Sequence, residues 1–117
     1  MKKFGYLVIK PDGEVALVSS KSPQFTLEEL QLGAECCTIQ IVPGRVSEML
    51  LCIDDEGKLL GKPINRKATI LFGQKEDFIV GTAIVGTSYN EDPEAEPDIY
   101  KMPLDIAKRF QVVINSL

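Results

Sequence analysis

The chain has 117 residues, of which 44% are hydrophobic and 26% are charged, and this composition is typical of a globular protein rather than a disordered or fibrous one. Its length suits one compact domain, so we expect residues 1–117 to form a single domain. The net charge of −4 and the lack of a basic stripe argue against direct binding to nucleic acid. The longest apolar run, residues 78–86, is too short to cross a membrane, and the N-terminus does not resemble a secretory signal. We therefore expect a soluble, cytoplasmic protein with no membrane partner.

Histidine is absent, and the three cysteines are Cys36, Cys37 and Cys52. Structural zinc requires four well-spaced cysteine or histidine ligands, so we expect no metal site and no cofactor. We interpret the three cysteines as small core or half-buried residues.

No pattern of nucleophile and base is visible. Without histidine, acid–base catalysis would depend on carboxylates, lysine or tyrosine. The paired carboxylates Asp54/Asp55 and Glu76/Asp77 lie in turn-like sequences, which favours solvated surface charge over catalysis. We therefore expect a protein that is not an enzyme.

The first half of the chain predicts a β-hairpin. Residues 4–9 are apolar and β-prone, and the Lys10-Pro11-Asp12-Gly13 turn follows them. Proline presets such a turn and glycine closes it, so residues 14–18 should form the returning strand.

A short helix should begin after Thr26. Thr26 is a natural N-cap, Glu29 completes a capping box, and Phe25 and Leu30 are placed for a hydrophobic staple. Gly33 lies where a left-handed C-cap is expected.

Three further strands and a second helix are predicted. Residues 37–42 and 49–53 read as strands that end at turn sequences, and residues 78–85, apolar on both faces, read as a central strand. A final amphipathic helix should begin at Pro103. Its apolar face comprises Ile106, Phe110, Val113, Ile114 and Leu117. These elements predict an α+β fold, with a mostly antiparallel sheet of about five strands, a short helix in the N-terminal half and a C-terminal helix.

The most distinctive stretch of the sequence is residues 56–66, which we call the signature segment. It resembles a phosphate-binding loop, but that motif needs four residues between its glycines and a hydroxyl residue where Pro63 lies. It also resembles the start of a calcium loop, but the position that requires glutamate is again Pro63. Both motifs are therefore excluded.

Two interpretations of the signature segment remain. In the first, Arg66 presents its planar guanidinium to a carboxylate or phosphate, with Lys62 and Asn65 as further contacts to a nucleotide or other small anion. In the second, Arg66 pairs internally with Asp54 or Glu56, and Asn65 caps a short element that begins at Arg66.

At this segment the chain resembles uncharacterised family 3846 of the domains of unknown function. The resemblance rests on residues 41–43, 50–53, 55–59, 61–66 and 79–82, which read IVP, LLCI, DEGKL, GKPINR and IVGT. It implies an origin in a phage, plasmid or other mobile element, and it transfers no activity, cofactor or catalytic residue. The acidic stretch near the C-terminal helix lies outside the family pattern.

That acidic stretch carries much of the negative charge of the protein. Its acidic residues are Glu91, Asp92, Glu94, Glu96 and Asp98. We expect a loop that is either simply solvated or able to engage a basic surface on a partner.

The sequence thus leaves the function open between two classes. The first is a small non-catalytic interaction protein of mobile-element type that modulates or inhibits a host or defence protein. The alternative is a small-molecule binding domain that uses residues 61–66. A homodimer stays open in either case.

Overall fold

A computed structural model describes residues 3–89 and 98–117. The strands are β1 (Phe4–Ile9), β2 (Val15–Ser20), β3 (Ile39–Pro43), β4 (Met49–Asp54), β5 (Ala83–Thr87) and β6 (Met102–Pro103). The helices are α1 (Leu27–Gly33), α2 (Arg66–Phe72) and α3 (Leu104–Asn115). The predicted α+β class, the hairpin and the C-terminal helix are confirmed. From the sequence, α2 is expected only as one of two interpretations, a short element that begins at Arg66 and is capped by Asn65.

The strands form one antiparallel sheet in the order β2-β1-β5-β4-β3. Short β6 pairs with the beginning of β1, next to the part of β1 that pairs with β5. The predicted central strand is confirmed, but it begins at Ala83 rather than at residue 78. The preceding residues turn away because Gly81 has a positive φ of 74° and Ile79 pairs with the signature segment.

Helices cover both faces of the sheet. On one face, α1 packs with Tyr6, Cys52 and Ile84. On the other face, α2 and α3 enclose a larger core around Leu7 and Leu51. Because successive side chains of a strand point to opposite faces, both faces of the central strands are apolar and buried.

The capping box of α1 is present as predicted. The Thr26 side chain accepts from the Glu29 N–H, and the Glu29 side chain accepts from the Thr26 N–H. The prediction that Gly33 is a left-handed C-cap is wrong: Gly33 ends the helix, and Glu35 takes the left-handed conformation with φ of 55°. Gly33 instead allows close packing, since a Cβ atom there would lie 2.5 Å from Ile84 Cδ1.

The apolar face of α3 is confirmed except at one position. Ile114 is buried, and Ile106, Phe110 and Leu117 pack against the core. Val113 is 57% exposed, because the buried face is centred between Ala107 and Ile114 and Val113 falls at its edge.

The cysteines differ from one another. Cys52 is buried, and burial, followed by the neighbouring Cys36, raises the pKa of its thiol to about 12. Cys36 is half-buried, but Cys37 is exposed, so the prediction is wrong for Cys37, which precedes the sheet edge rather than lying in it. Over residues 3–89 and 98–117, no helix is long and apolar enough to span a bilayer.

Candidate interaction site

The signature segment folds as a compact series of turns between β4 and α2. Its backbone is closed by hydrogen bonds from Leu60 N to Glu56 O at 3.0 Å, from Gly61 N to Lys58 O at 3.2 Å and from Lys62 N to Gly57 O at 3.0 Å. Since these bonds satisfy the backbone locally, the segment presents its side chains from a fixed frame.

Asn65 holds the end of this frame in the protein interior. Its side chain is fully buried and donates to Ile9 O at 2.8 Å and to Gly81 O at 2.9 Å. Its Oδ1 accepts from Ala68 N–H at 3.1 Å as the N-cap of α2. The predicted capping role of Asn65 is confirmed, and the same amide also ties α2 to the sheet.

Lys62 is also engaged within the fold. Its ammonium lies 2.7 Å from Asp54 Oδ2 and donates to Glu35 O at 2.8 Å. The Asp54 side chain is only 3% exposed, and its Oδ1 accepts from Glu56 N–H. Asp54 Oδ2 has no hydrogen-bond partner among the described residues, so its contact with the Lys62 ammonium is a close charge pair.

This environment determines the charge of Asp54. Burial, the largest influence, favours the neutral acid, but contacts from Lys62 and from Glu56 N–H outweigh it, and the pKa of Asp54 lies below its usual value. The interpretation of Asp54 as solvated surface charge is therefore wrong. It is a buried, ionised partner of Lys62.

Arg66 has a different environment from the other two predicted site residues. It is exposed at the first turn of α2, and its guanidinium forms no ion pair or hydrogen bond with residues 3–89 or 98–117. The predicted pairing with Asp54 or Glu56 is wrong, because Lys62 occupies Asp54. Lys62 and Asn65 thus have internal partners, whereas Arg66 faces solvent with no partner among the described residues.

The feature that sequence reasoning missed is a group of exposed apolar side chains on the same frame. Leu59 is 89% exposed, Leu60 is 64% exposed and Ile64 is 60% exposed. We call these three residues the apolar tip. The available signal was the pair of adjacent leucines inside a glycine- and proline-punctuated turn, where neither helical nor strand periodicity calls for them.

A small hollow of about 150 Å³ adjoins the apolar tip. Leu59 and Phe78 line it together with Gln40 and Val42 of β3. Lys58 lies with its ammonium 4.5 Å from the centre of the Phe78 ring and pairs with Asp77. The hydrogen bond from Lys58, followed by the N–H of Phe78, lowers the pKa of the Asp77 carboxyl.

Two other hollows are distinct from the apolar tip. One, of about 350 Å³, lies between β4, β6 and α3 and is lined largely by apolar side chains such as Met49, Met102 and Phe110. The other is an open depression beside Lys62 that also includes Glu35 and Thr82. Thr82 Oγ1 donates to Glu35 Oε2 at 2.6 Å, so part of its polar lining is internally satisfied.

The acidic stretch falls mostly outside the described residues. Of its five acidic positions, only Asp98 is described, and this residue is exposed beside the sheet. Within the part of the chain that the structure describes, no three histidine, cysteine, aspartate or glutamate residues are grouped to hold a metal ion.

The protein is a small α+β domain. Its single antiparallel sheet has one helix on one face and two on the other, and its turn frame carries the apolar tip. The chain belongs to the family named domain of unknown function DUF3846, whose model matches residues 1–106. No curated protein matches the chain, and no solved structure matches it.

Proposed function

We propose that this protein is a small, non-catalytic interaction protein of phage or mobile-element type. It acts in the cytoplasm by binding a host or defence protein through the apolar tip of the signature segment. The observation that carries the proposal is the exposure of Leu59, Leu60 and Ile64 on a frame that is itself fixed in the fold.

The exposed leucines favour association with a protein. Burying one leucine side chain contributes about 1.5–3 kcal/mol, and the fold leaves this gain unused at the apolar tip. Single exposed apolar residues are ordinary on a protein surface, whereas an exposed apolar patch is typical of an interaction site. Here three such residues lie within positions 59–64 of one turn frame.

The frame lowers the entropic cost of binding. The turn hydrogen bonds, the Lys62–Asp54 pair and the buried Asn65 amide fix the backbone beneath the tip. A loop that is ordered before binding loses less conformational freedom on association, so more of the gain from burial appears as affinity.

The charge of the protein favours a partner with a basic rim. The net charge is −4, and the acidic residues of the stretch from Glu91 to Asp98 contribute to it. Complementary charge speeds encounter and selects partners more than it adds affinity. The acidic stretch is therefore a secondary element of the proposal.

The alternative of an anion-binding site has narrower support. Arg66 is exposed and unpaired among the described residues, as such a site requires. Lys62 and Asn65, its proposed companions, are engaged by Asp54 and by backbone carbonyls. A nucleotide or phosphate held by a single exposed arginine would bind weakly, so we favour the protein partner.

The test is affinity purification of the tagged protein from cells of its native host, with Leu59→Asp as the variant. Leu59 is almost fully exposed, so the substitution should leave stability unchanged while placing a charge in the contact. Val112→Asp on the solvent face of α3 is the matched control, because Val112 is 72% exposed.

We expect a partner that the wild type and Val112→Asp retain and that Leu59→Asp loses by at least tenfold. Equal recovery with Leu59→Asp would contradict the proposal. Reversing the charge at Glu91, Asp92, Glu94, Glu96 and Asp98 tests the acidic stretch separately. Unchanged recovery there would remove the stretch from the interface and leave the apolar tip in place.

A further inference from the structure

The strand β3 forms one edge of the sheet, and its outer backbone groups have no partner among the described residues. Gly44 N–H donates to Met49 O, and Asp55 N–H donates to Thr38 O. With the observed register, these bonds fix which residues of β3 face β4. The N–H and C=O groups of successive residues point to opposite sides of a strand. The backbone groups of Ile39, Ile41 and Pro43 therefore point away from β4, toward solvent.

The opposite edge of the sheet is partly covered. There, β2 pairs with β1, and the Val15 carbonyl accepts a hydrogen bond from Gln111 Nε2 of α3 at 3.1 Å. The edge at β3 has no comparable side-chain contact in the described chain, so its N–H and C=O groups remain available to an extended backbone.

Hollows flank β3 on both faces of the sheet. On the α2 face, Gln40 and Val42 adjoin the hollow of Leu59 and Phe78. On the α1 face, Ile41 lines a second depression with Ile99 and Asp98. A free strand edge with a side-chain recess on each face matches the way in which an added strand is recognised: its backbone pairs with the edge, and alternate side chains enter the recesses.

We propose that β3 is a site of β-strand addition for an extended, basic and apolar segment of a protein partner. Apolar side chains of that segment lie against Leu59 and Phe78, and basic side chains lie near Asp98. This inference rests on the proposed function and names the binding mode of the same surface, since Leu59 belongs both to the apolar tip and to the recess beside β3.

The charges beside β3 support a basic segment. Asp55 and Asp98 are exposed on either side of the strand and form no ion pair with a described residue. Among the described residues that line these two recesses, Lys58 is the one cation. It is already paired with Asp77.

Pro43 disfavours a second copy of this chain as the occupant. If two β3 strands paired in antiparallel fashion about Ile41, Pro43 of each copy would face Ile39 of the other. Proline has no N–H to donate, so both ends of such a ladder would lose a hydrogen bond. A partner segment that pairs with one β3 strand loses only the single hydrogen bond that Pro43 cannot donate.

The probe is a fluorescein-labelled heptapeptide, capped at both ends, in which lysine alternates with valine or leucine. Binding is measured by fluorescence anisotropy against the wild-type protein. Two further versions carry N-methyl groups, one on the lysine amides and the other on the valine and leucine amides. In an added strand only one of these two sets faces β3, so we expect one version to lose affinity by at least tenfold and the other to bind like the parent.

The matching protein variant is Ile41→Pro, which removes an outward N–H and leaves the pairing of β3 with β4 intact. We expect it to weaken the parent peptide about tenfold, the effect of one lost hydrogen bond. Ser19→Pro on the β2 edge, which also removes an outward N–H, should have no effect. Circular dichroism establishes that both variants are folded, and the N-methylated peptides test the inference independently of either variant.

Equal affinity of the two N-methylated peptides, or no binding of the parent at millimolar protein concentration, overturns strand addition. A dimer of the wild type that Ile41→Pro converts to a monomer assigns the edge to a second copy and overturns the partner segment. If Leu59→Asp loses the native partner while Ile41→Pro retains it, the proposed function stands and this binding mode fails. If neither variant loses the partner, the proposed function fails as well.

Discussion

Replacing Asn65 by alanine should be among the most damaging single changes in the signature segment. The substitution removes the N-cap of α2, which costs about 1 kcal/mol. It also leaves the carbonyls of Ile9 and Gly81 without their side-chain donor in a fully buried site. Each of these lost hydrogen bonds costs up to about 1.5 kcal/mol, so together with the cap we expect a total loss of about 4 kcal/mol.

That loss is a large fraction of the total stability of a small domain, which is about 5–15 kcal/mol. For a chain of this size it should lower the melting temperature by about 15 °C. Urea unfolding followed by far-UV circular dichroism gives the free energy of unfolding directly, and an unchanged m-value shows that the variants are comparable.

Arg66→Ala is the matched control, because Arg66 is the next residue and its side chain is exposed and unpaired among the described residues. We expect a change within about 0.5 kcal/mol. A loss below about 1 kcal/mol in Asn65→Ala, or equal losses in the two variants, would refute the assignment of Asn65 as the internal tie of the segment.

Three further predictions follow from the buried charges and from helix packing. Lys62→Met should cost about 3 kcal/mol at pH 7, because it leaves the buried Asp54 carboxylate unpaired. The pKa of Asp54 is lowered in the folded state. The stabilisation from the Lys62–Asp54 pair is therefore present above about pH 4 and is lost as the pH falls through the lowered pKa. Urea titrations from pH 7 to pH 2 should therefore show the penalty shrinking, and a constant penalty would contradict the pairing. The ammonium of Lys101, just before β6, lies 2.9 Å from Glu29 Oε2, and its side chain is 3% exposed whereas that of Glu29 is 33% exposed. Glu29→Gln should therefore cost more stability than Lys101→Met, because it leaves the more buried charge unpaired, and thermal unfolding that ranks the two variants in reverse would contradict this. Gly33→Ala should lose about 1 kcal/mol, since the clash with β5 exceeds the gain in helix propensity, and a more stable variant in urea unfolding would show that the helix has room there.

The parts of the fold that depend on neighbouring residues could be predicted from the sequence. The capping box of α1 is formed by residues three positions apart, and the first hairpin by a four-residue turn, so their chemistry is visible in a short window. The start of β5 was misplaced because the apolar pattern of residues 78–82 does not reveal that Gly81 turns the backbone toward Pro63.

The candidate site depended on contacts that are distant in sequence. Asp54 reads as part of an acidic turn, and its burial arises only because Lys62 and the backbone near Glu35 close over it. Conversely, the hydropathy of Leu59 alone would favour burial, but the side chain is 89% exposed on a frame closed by turn hydrogen bonds. Hydropathy alone could not separate the buried acid from the exposed leucine, since the distinction lies in tertiary packing.

The central claim is that the apolar tip contacts a protein partner, and site-specific photo-crosslinking tests it most directly. A benzophenone side chain placed at Leu59 or, as a control, at Val112 is irradiated in cells of the native host, and cross-linked species are separated by mass. We predict one defined protein adduct from position 59 and none from position 112. The additional substitution Leu60→Asp should suppress the adduct from position 59. Equal labelling from both positions, or no adduct from position 59, would contradict the claim.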